Sequence, residues 1–373
     1  MASPNRSAVH IFCTVVDNYG DAGVCLRLAR HYARQGADTT LVIDRPELID
    51  QMMPNWRSEP RLSVQTTPPD TEDFLKDRSE SGRPASSESG LGSSAVESSD
   101  LTVIEAFQFD APVDYRLQLE DLFSAGIQIK RITLDYLATE PWATSHQGLV
   151  SPDLEVKRVL AERGLTANST GPAATRKWFA PSFDIQGFPL IHDDFMEATP
   201  EQRQQMRARL GATQEDDFLV MAFGYPDAPW DELKQAFDTN GLPPGFQRAV
   251  FWHPKGLELT QDQFDIALQA CDLNFVRGED SFVRAHWAAA SRWQVPFIWQ
   301  PYRQDGNAHA DKLNGWLTTA GELDSHYQAF SLEFNGLIPG AGPSESWPSV
   351  LAAWNQIRAQ LSQFSAICKA GNL

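Results

Sequence analysis

No apolar run in the chain approaches the roughly 18–20 residues that a membrane-spanning helix needs. The opening Met-Ala-Ser-Pro-Asn-Arg passes straight into a strand-like segment without a signal-peptide stretch. A cytoplasmic protein with no membrane partner is therefore expected. Cysteine is scarce: Cys13, Cys25, Cys271 and Cys368 make up all four, none in C-x-x-C spacing. Reduced, buried thiols are expected, and neither a disulfide framework nor a structural zinc site. Positive charge is also short, with 31 Lys and Arg against 49 Asp and Glu and a net charge of −18. That balance repels nucleic acid and suits either a basic macromolecular partner or plain solubility. The G-x-G-x-x-G fingerprint is missing, and the scattered histidines form no His-x-x-x-His or Ser-His-Asp arrangement. Nicotinamide binding and nucleophilic hydrolysis thus find no support.

What is present reads as two α/β domains. With 373 residues, 42% of them apolar, each half can bury a core of its own. Residues 9–16 form a continuous apolar run, the mark of a strand covered on both faces. After a loop at 17–23, Val24, Leu28 and Tyr32 share one helix face, Gly36 supplies a stop, and 39–44 is a second strand. Strand, helix and strand in this order imply a parallel sheet. Further strands are expected at 101–105, 127–134, 218–225, 248–252, 273–276 and 295–299, with a helix opening near Ser281. The Ser/Gly/Glu-rich stretch 78–99 cannot bury much apolar surface and reads as a disordered insertion in the first domain. The expected division is 1–177, then 178–348, with a last helix in 349–373 crossing back onto the first domain.

Three groups of residues carry candidate chemistry. Asp17 and Asp21 sit four residues apart where the first buried strand ends, with Asn18, Tyr19 and Gly20 between them as candidate substrate contacts. Gly20 and Gly23 suit a tight turn that lets the backbone approach a ligand. Asp17 reads as catalytic; Asp21 is either catalytic or a cap on the following helix. The run Arg277-Gly278-Glu279-Asp280-Ser281 leads from a strand into a helix, whose first amides and dipole suit a pyrophosphate. Arg277 adds a cation there, whereas Glu279 fits acceptor positioning better than phosphate binding. An ordinary capped βα turn is the alternative. Phe223, Tyr225 and Phe183 are aromatic residues suited to a sugar or thymine ring, or to the core.

Two strings, Phe12-Cys-Thr-Val-Val-Asp-Asn-Tyr-Gly-Asp-Ala-Gly-Val24 and Cys271-Asp-Leu-Asn-Phe-Val-Arg-Gly-Glu-Asp-Ser-Phe-Val-Arg-Ala285, resemble the protein-arginine rhamnosyltransferases of elongation factor P, EarP. So do His146-Gln-Gly-Leu-Val-Ser-Pro152 and the run Phe297-Ile-Trp-Gln-Pro-Tyr302. The resemblance implies a GT-B fold, two Rossmann-like domains facing across a cleft. It implies dTDP-β-L-rhamnose as donor, inversion at the anomeric carbon, no metal or cofactor, and elongation factor P as acceptor. By the same match Asp17, Asp21 and Glu279 are the essential acids, and Phe223 and Tyr225 lie near the nucleotide-sugar. Gln261 is implied as a nucleotide contact, with Arg277, Asp280 and Ser281 on the diphosphate side. The chain departs from the family at Phe179-Ala-Pro-Ser-Phe183, where Phe-Pro-Gly-Phe is usual. Leu257, Glu258 and Leu259 stand where an aromatic residue is expected before Gln261, and the stretch from Tyr225 to Gln261 is shortened.

In the mechanism this implies, Asp17 takes a proton from the acceptor guanidinium, which Glu279 and Asp21 hold by paired hydrogen bonds. The departing dTDP meets the helix start at Ser281 and Arg277. The competing readings are a GT-B transferase with a carbohydrate acceptor and a non-catalytic binding module of the same fold.

Overall fold

The apolar run near the start of the chain becomes β1 (Ala8–Cys13), buried at every residue because neighbouring strands and helices cover it on all sides. It opens the first of two units into which the chain divides: Met1–Tyr136 with His146–Pro181, and Leu137–Ser145 with Ser182–Leu373. The computed structural model describes residues 7–16, 18–71, 100–164, 171–183, 190, 195–255, 259–303 and 307–370. The stretch 78–99, expected to be a disordered insertion, lies outside the described residues.

Unit 1 continues with α1 (Asn18–Arg34), β2 (Asp38–Ile43), α2 (Pro46–Met52), β3 (Leu62–Gln65), β4 (Leu101–Ala106), α3 (Val113–Ser124) and β5 (Ile129–Leu134). The chain then forms α4 (Pro141–His146), which up to Ser145 belongs to unit 2, before β6 (Val150–Pro152), α5 (Leu154–Glu162) and β7 (Thr175–Phe179) return it to unit 1. The sheet runs β3-β2-β1-β4-β5-β7-β6, parallel except where β6 meets β7. Since β1 leads outward through β2 and β3 while β4 leads the other way, the strand order reverses between β1 and β4. Ligands of open α/β sheets bind beyond the carboxyl ends of such a strand pair.

Unit 2 holds α6 (Pro200–Arg209), β8 (Asp217–Ala222), α7 (Trp230–Asn240), β9 (Arg248–Trp252), α8 (Gln261–Ala270), β10 (Leu273–Arg277), α9 (Asp280–Ala290) and β11 (Phe297–Gln300). It closes with α10 (Ala308–Thr319), α11 (Ser325–Phe334), α12 (Pro343–Ala352) and α13 (Trp354–Ala370). Its sheet is wholly parallel in the order β11-β10-β8-β9, so its reversal lies between β8 and β10. Reciprocal capping boxes, Thr199 with Gln202 and Thr260 with Gln263, start α6 and α8 where the sequence changes period. Trp287, Trp299, Trp316 and Trp347 are fully buried in the core, with Phe282 stacked on Trp299 at 3.8 Å between ring centroids.

The structure corrects the expected organisation in three places. The helix after β1 starts at Asn18 rather than Val24, so Gly20 and Gly23 are helical and make no tight turn. The expected boundary at 177/178 would cut β7, whose Trp178 pairs with Thr133 of β5; the units part at Pro181/Ser182, and Leu137–Ser145 joins unit 2. The last helix is two, α12 and α13, turning at Ala353. By its contacts α13 is part of unit 2, where it packs on α9.

That packing runs through a buried imidazole. Trp316 Nε1 can only donate, and it points at His286 Nε2 from 3.1 Å. Nδ1 therefore carries the proton and donates to Ser365 Oγ of α13 at 2.8 Å. A second proton would face the indole N–H, and burial pulls the imidazole from 6.5 down to about 3. Burial likewise takes His10, 2.6 Å from the Tyr115 hydroxyl, down to about 4. Both folded values are depressed, so their contribution is complete above the unfolded value of about 6.5 and drains as pH falls toward the folded ones. Over that window each imidazole withdraws about 1.4 kcal/mol per pH unit. Thermal melts from pH 7.5 to 5 should show a falling Tm, with a shallower slope in His286→Gln; a flat profile in the parent protein would refute the neutral-imidazole assignment.

Candidate active site

In unit 1 the backbone leaves β1 through Thr14, Val15 and Val16, and α1 begins at Asn18. Asp17 lies outside the described residues, as does the Asn18 side chain. The Val15 N–H donates to Asp44 Oδ1 at 3.0 Å, and the Val16 N–H donates to Asp21 Oδ2 at 2.8 Å. Asp21, only 2% exposed, stands in the first turn of α1, where a carboxylate also complements the helix dipole. It therefore ties the first turn of α1 back to the strand exit at Val16. Tyr19 is exposed and ties its hydroxyl to Gln51 of α2 at 2.8 Å, while Gly20 lies within α1.

At the end of β4, the other strand of the reversal, Phe107 and Gln108 are consecutive residues with φ of 55° and 63°. Left-handed backbone at two adjacent side-chain-bearing residues costs free energy and persists where the surroundings impose it. Here Phe107 is stacked on Tyr136 at 4.6 Å, and its N–H donates to Leu134 O at 2.7 Å. The sequence gives no warning of this turn, because no glycine or asparagine marks it.

Unit 2 assembles most of the second and third candidate groups at its own reversal. Phe223 and Tyr225 follow β8, and Arg277 ends β10. The Arg277 guanidinium lies 5.5 Å from the Phe223 ring centroid and 5.1 Å from that of Tyr225. Among the described residues no carboxylate pairs with it, and its buried Nε has no hydrogen-bond partner. Gln300, ending β11, accepts from the Tyr225 N–H at 3.0 Å. A Cβ at Gly224 would strike that Gln300 oxygen and come within 2.7 Å of Trp230. Gly278, at φ +82°, turns the chain from β10 into α9, and a Cβ there would lie 2.6 Å from the Tyr302 hydroxyl. Both glycines keep backbone close to neighbouring side chains.

The α9 start then follows. Ser281 is buried and donates its hydroxyl to Arg277 O at 2.5 Å; Asp280 is the first residue of the helix, half-buried. First-turn amides of an α-helix have no intrahelical acceptor, so they suit an anion. Glu279, immediately before them, accepts from Lys312 Nζ on Oε1 at 2.8 Å and from the Leu137 N–H on Oε2 at 2.7 Å. Gln261 is buried at the first position of α8, and one turn on Phe264 meets the Phe223 ring edge-on at 5.9 Å. The aromatic residue sought before Gln261 thus has a counterpart after it, on the same helix face. Phe183 packs on Phe282 at 5.4 Å and His286 at 4.6 Å, within the aromatic layer under α9.

Three residues of this neighbourhood lie outside the candidate groups. Lys312 and Gln300 are two. Arg303 is the third, its guanidinium 4.3 Å from the Tyr225 centroid and paired with Asp227 at 2.6 Å. No motif spacing flags them, because Lys312 and Arg303 approach from elements that follow β11. A separate cavity of about 520 Å³, lined by Lys234, Phe237, Phe246 and Arg248 among others, sits at the amino end of β9. That is the wrong end of a parallel strand for a nucleotide.

Two Rossmann-like units, the second with an arginine that meets no carboxylate among the described residues and lies against aromatic rings beside a helix start, have the architecture of the GT-B class. The chain belongs to the family described as elongation-factor P (EF-P) rhamnosyltransferase EarP, whose model matches residues 9–244 and 257–372. The protein-arginine rhamnosyltransferase of Pseudomonas aeruginosa is 29% identical, over 90% of this chain and 88% of the relative. That of Shewanella oneidensis is 26% identical, over 84% of this chain and 81% of the relative. A solved structure from work on EarP-mediated arginine glycosylation of translation elongation factor EF-P has 18% identity and a TM-score of 0.49, covering 98% of this chain and 95% of that one. No helix among the described residues is long and apolar enough to cross a membrane.

Proposed function

We propose that this chain transfers L-rhamnose from dTDP-β-L-rhamnose, with inversion, to an arginine side chain of elongation factor P. The observation that carries the reading is Arg277: a cation that no carboxylate pairs with among the described residues, held against Phe223 and Tyr225 beside the first turn of α9. Such a group awaits an anion, and its aromatic neighbours suit a base or sugar. The relatives' description as protein-arginine rhamnosyltransferases, spanning both units, supplies the donor sugar and the acceptor side chain.

Chemically, the difficulty is the acceptor. A guanidinium holds its proton to pH 12.5 or above, about 12.5–13.8 in reference compounds, so its nitrogen attacks only as the proton leaves. Asp17 takes that proton as the C–N bond forms, and Asp21 ties the start of α1 to the end of the preceding strand segment at Val16. Charge building on the departing diphosphate is met by Arg277 and the α9 amides, with Ser281 bracing the turn, and no metal is needed in this scheme.

Intact mass of elongation factor P, after incubation with the chain and dTDP-L-rhamnose, tests the reading. A gain of one deoxyhexose, lost with Asp17→Asn, is the expected result. No gain, with the nucleotide-sugar still bound, would overturn the acceptor; no binding would overturn the donor as well.

A further inference from the structure

A glutamate is an unwelcome neighbour for a diphosphate. Glu279 nonetheless stands between Gly278 and the first helical residue of α9, in the turn read above as the diphosphate side. An uncompensated carboxylate there would repel the phosphates it adjoins. Lys312 Nζ sits 2.8 Å from Glu279 Oε1, with both side chains 13% exposed, which limits solvent screening of the pair. The lysine is built in as firmly as the acid. Its own carbonyl accepts from Thr139 Oγ1 at 2.6 Å. One turn later in α10, Gly315 packs so close to the Thr139 carbonyl that a Cβ would collide with it. The same segment supplies the Leu137 N–H, 2.7 Å from Glu279 Oε2.

We propose that Lys312 is a positioning residue acting through Glu279: its charge lets a carboxylate occupy a diphosphate-binding turn, while the Leu137 amide fixes the direction of the carboxylate. The inference rests on the donor reading given above. Glu279 then keeps its place in the site as half of an electrically neutral pair, and the positive charge of Arg277 stays available to the phosphates.

The sign of a double-mutant cycle separates this role from a structural one. dTDP binding is measured by calorimetry on the full chain, with thermal melts confirming that each variant is folded. Lys312→Met should weaken dTDP binding about tenfold, because the cation that faces the Glu279 carboxylate is gone. Adding Glu279→Gln to Lys312→Met should bring affinity back to within about threefold of the parent, because the repelling charge is gone. Lys312→Arg should also stay within about threefold. A merely structural lysine predicts the opposite, a double variant as weak as the single or weaker, and that outcome would overturn the proposal. So would unchanged binding in Lys312→Met. Failure of the parent chain itself to bind dTDP would instead strike the donor reading, and this inference with it.

Discussion

Glu279→Gln is expected to cut the rate of sugar transfer by roughly 10²–10³-fold, while dTDP-rhamnose binds at least as tightly as before. The two halves of that expectation have one cause. Glutamine keeps the size of the side chain and an oxygen for the Leu137 N–H at 2.7 Å, so the β10–α9 turn keeps its shape. What goes is the negative charge that Lys312 faces at 2.8 Å. The lysine becomes a free cation beside the proposed diphosphate site, which favours donor binding in that reading and adds one repulsion against an incoming guanidinium. Transfer suffers because the aimed carboxylate is lost from the reacting complex, and a loss confined to that complex lowers kcat rather than donor affinity. Single-turnover intact mass on elongation factor P, alongside calorimetry with dTDP-rhamnose, reads both quantities. Turnover within threefold of the parent would show that the carboxylate charge has no part in the transfer. A tenfold weaker donor complex would show that it holds the nucleotide.

Period and punctuation in the sequence were enough for the architecture. Continuous apolar runs at 9–16 and 218–225 marked strands buried on both faces, and they stand in the sheets as β1 and β8. Arg277 through Ser281 also fell where the residues placed them, since a strand ending in Arg-Gly before a polar helix start has few other conformations. Less was legible where local signals conflicted. Two glycines after Asp17 look like a tight turn, yet the Val16 N–H bound to Asp21 lets α1 begin at once. The C-terminal helix carries no mark of which unit it serves; His286, Ser365 and Trp316 decide that in the folded core. Lys312 was invisible for the same reason, because one lysine on a helix reads as a solvated charge until the fold brings Glu279 to it. The comparisons add the sugar and the acceptor, which no arrangement of these side chains states.

Glu105→Ala should be the most damaging single change in unit 1, costing about 3–5 kcal/mol. Glu105 lies on β4 at 0% exposure and accepts from Arg131 Nε and Nη2, both at 2.9 Å, and from the Ala111 N–H at 2.9 Å. Arg131 also reaches Asp153 at 2.7 Å, and Asp153 binds Arg116 at 2.5 Å while capping α5 through the Val156 N–H at 3.0 Å. Two buried cations thus stand against two buried anions. Alanine removes one anion, leaves the Arg131 fork with only Asp153 and the Ala173 carbonyl as partners, and orphans an amide; the size of the loss comes from that imbalance and not from the worth of the pair. The paired change Glu105→Leu with Arg131→Met takes away one charge of each sign and leaves Asp153 to Arg116, so it should recover more than half of the loss. Against a total of about 5–15 kcal/mol for a domain, the single change brings unit 1 near its unfolding threshold. Hydrogen exchange of the β4 and β5 amides reads this unit by itself, whatever unit 2 does on heating. The network also reaches function. Phe107 and Gln108, held in left-handed backbone, follow directly from β4, and the Phe107 N–H is anchored on Leu134 at the end of β5. Loosening β4 from β5 should let that turn relax, so transfer activity should fall well below the melting temperature. Exchange rates unchanged in Glu105→Ala, or a double variant as unstable as the sum of its parts, would show that the buried charges are not acting as one balanced set.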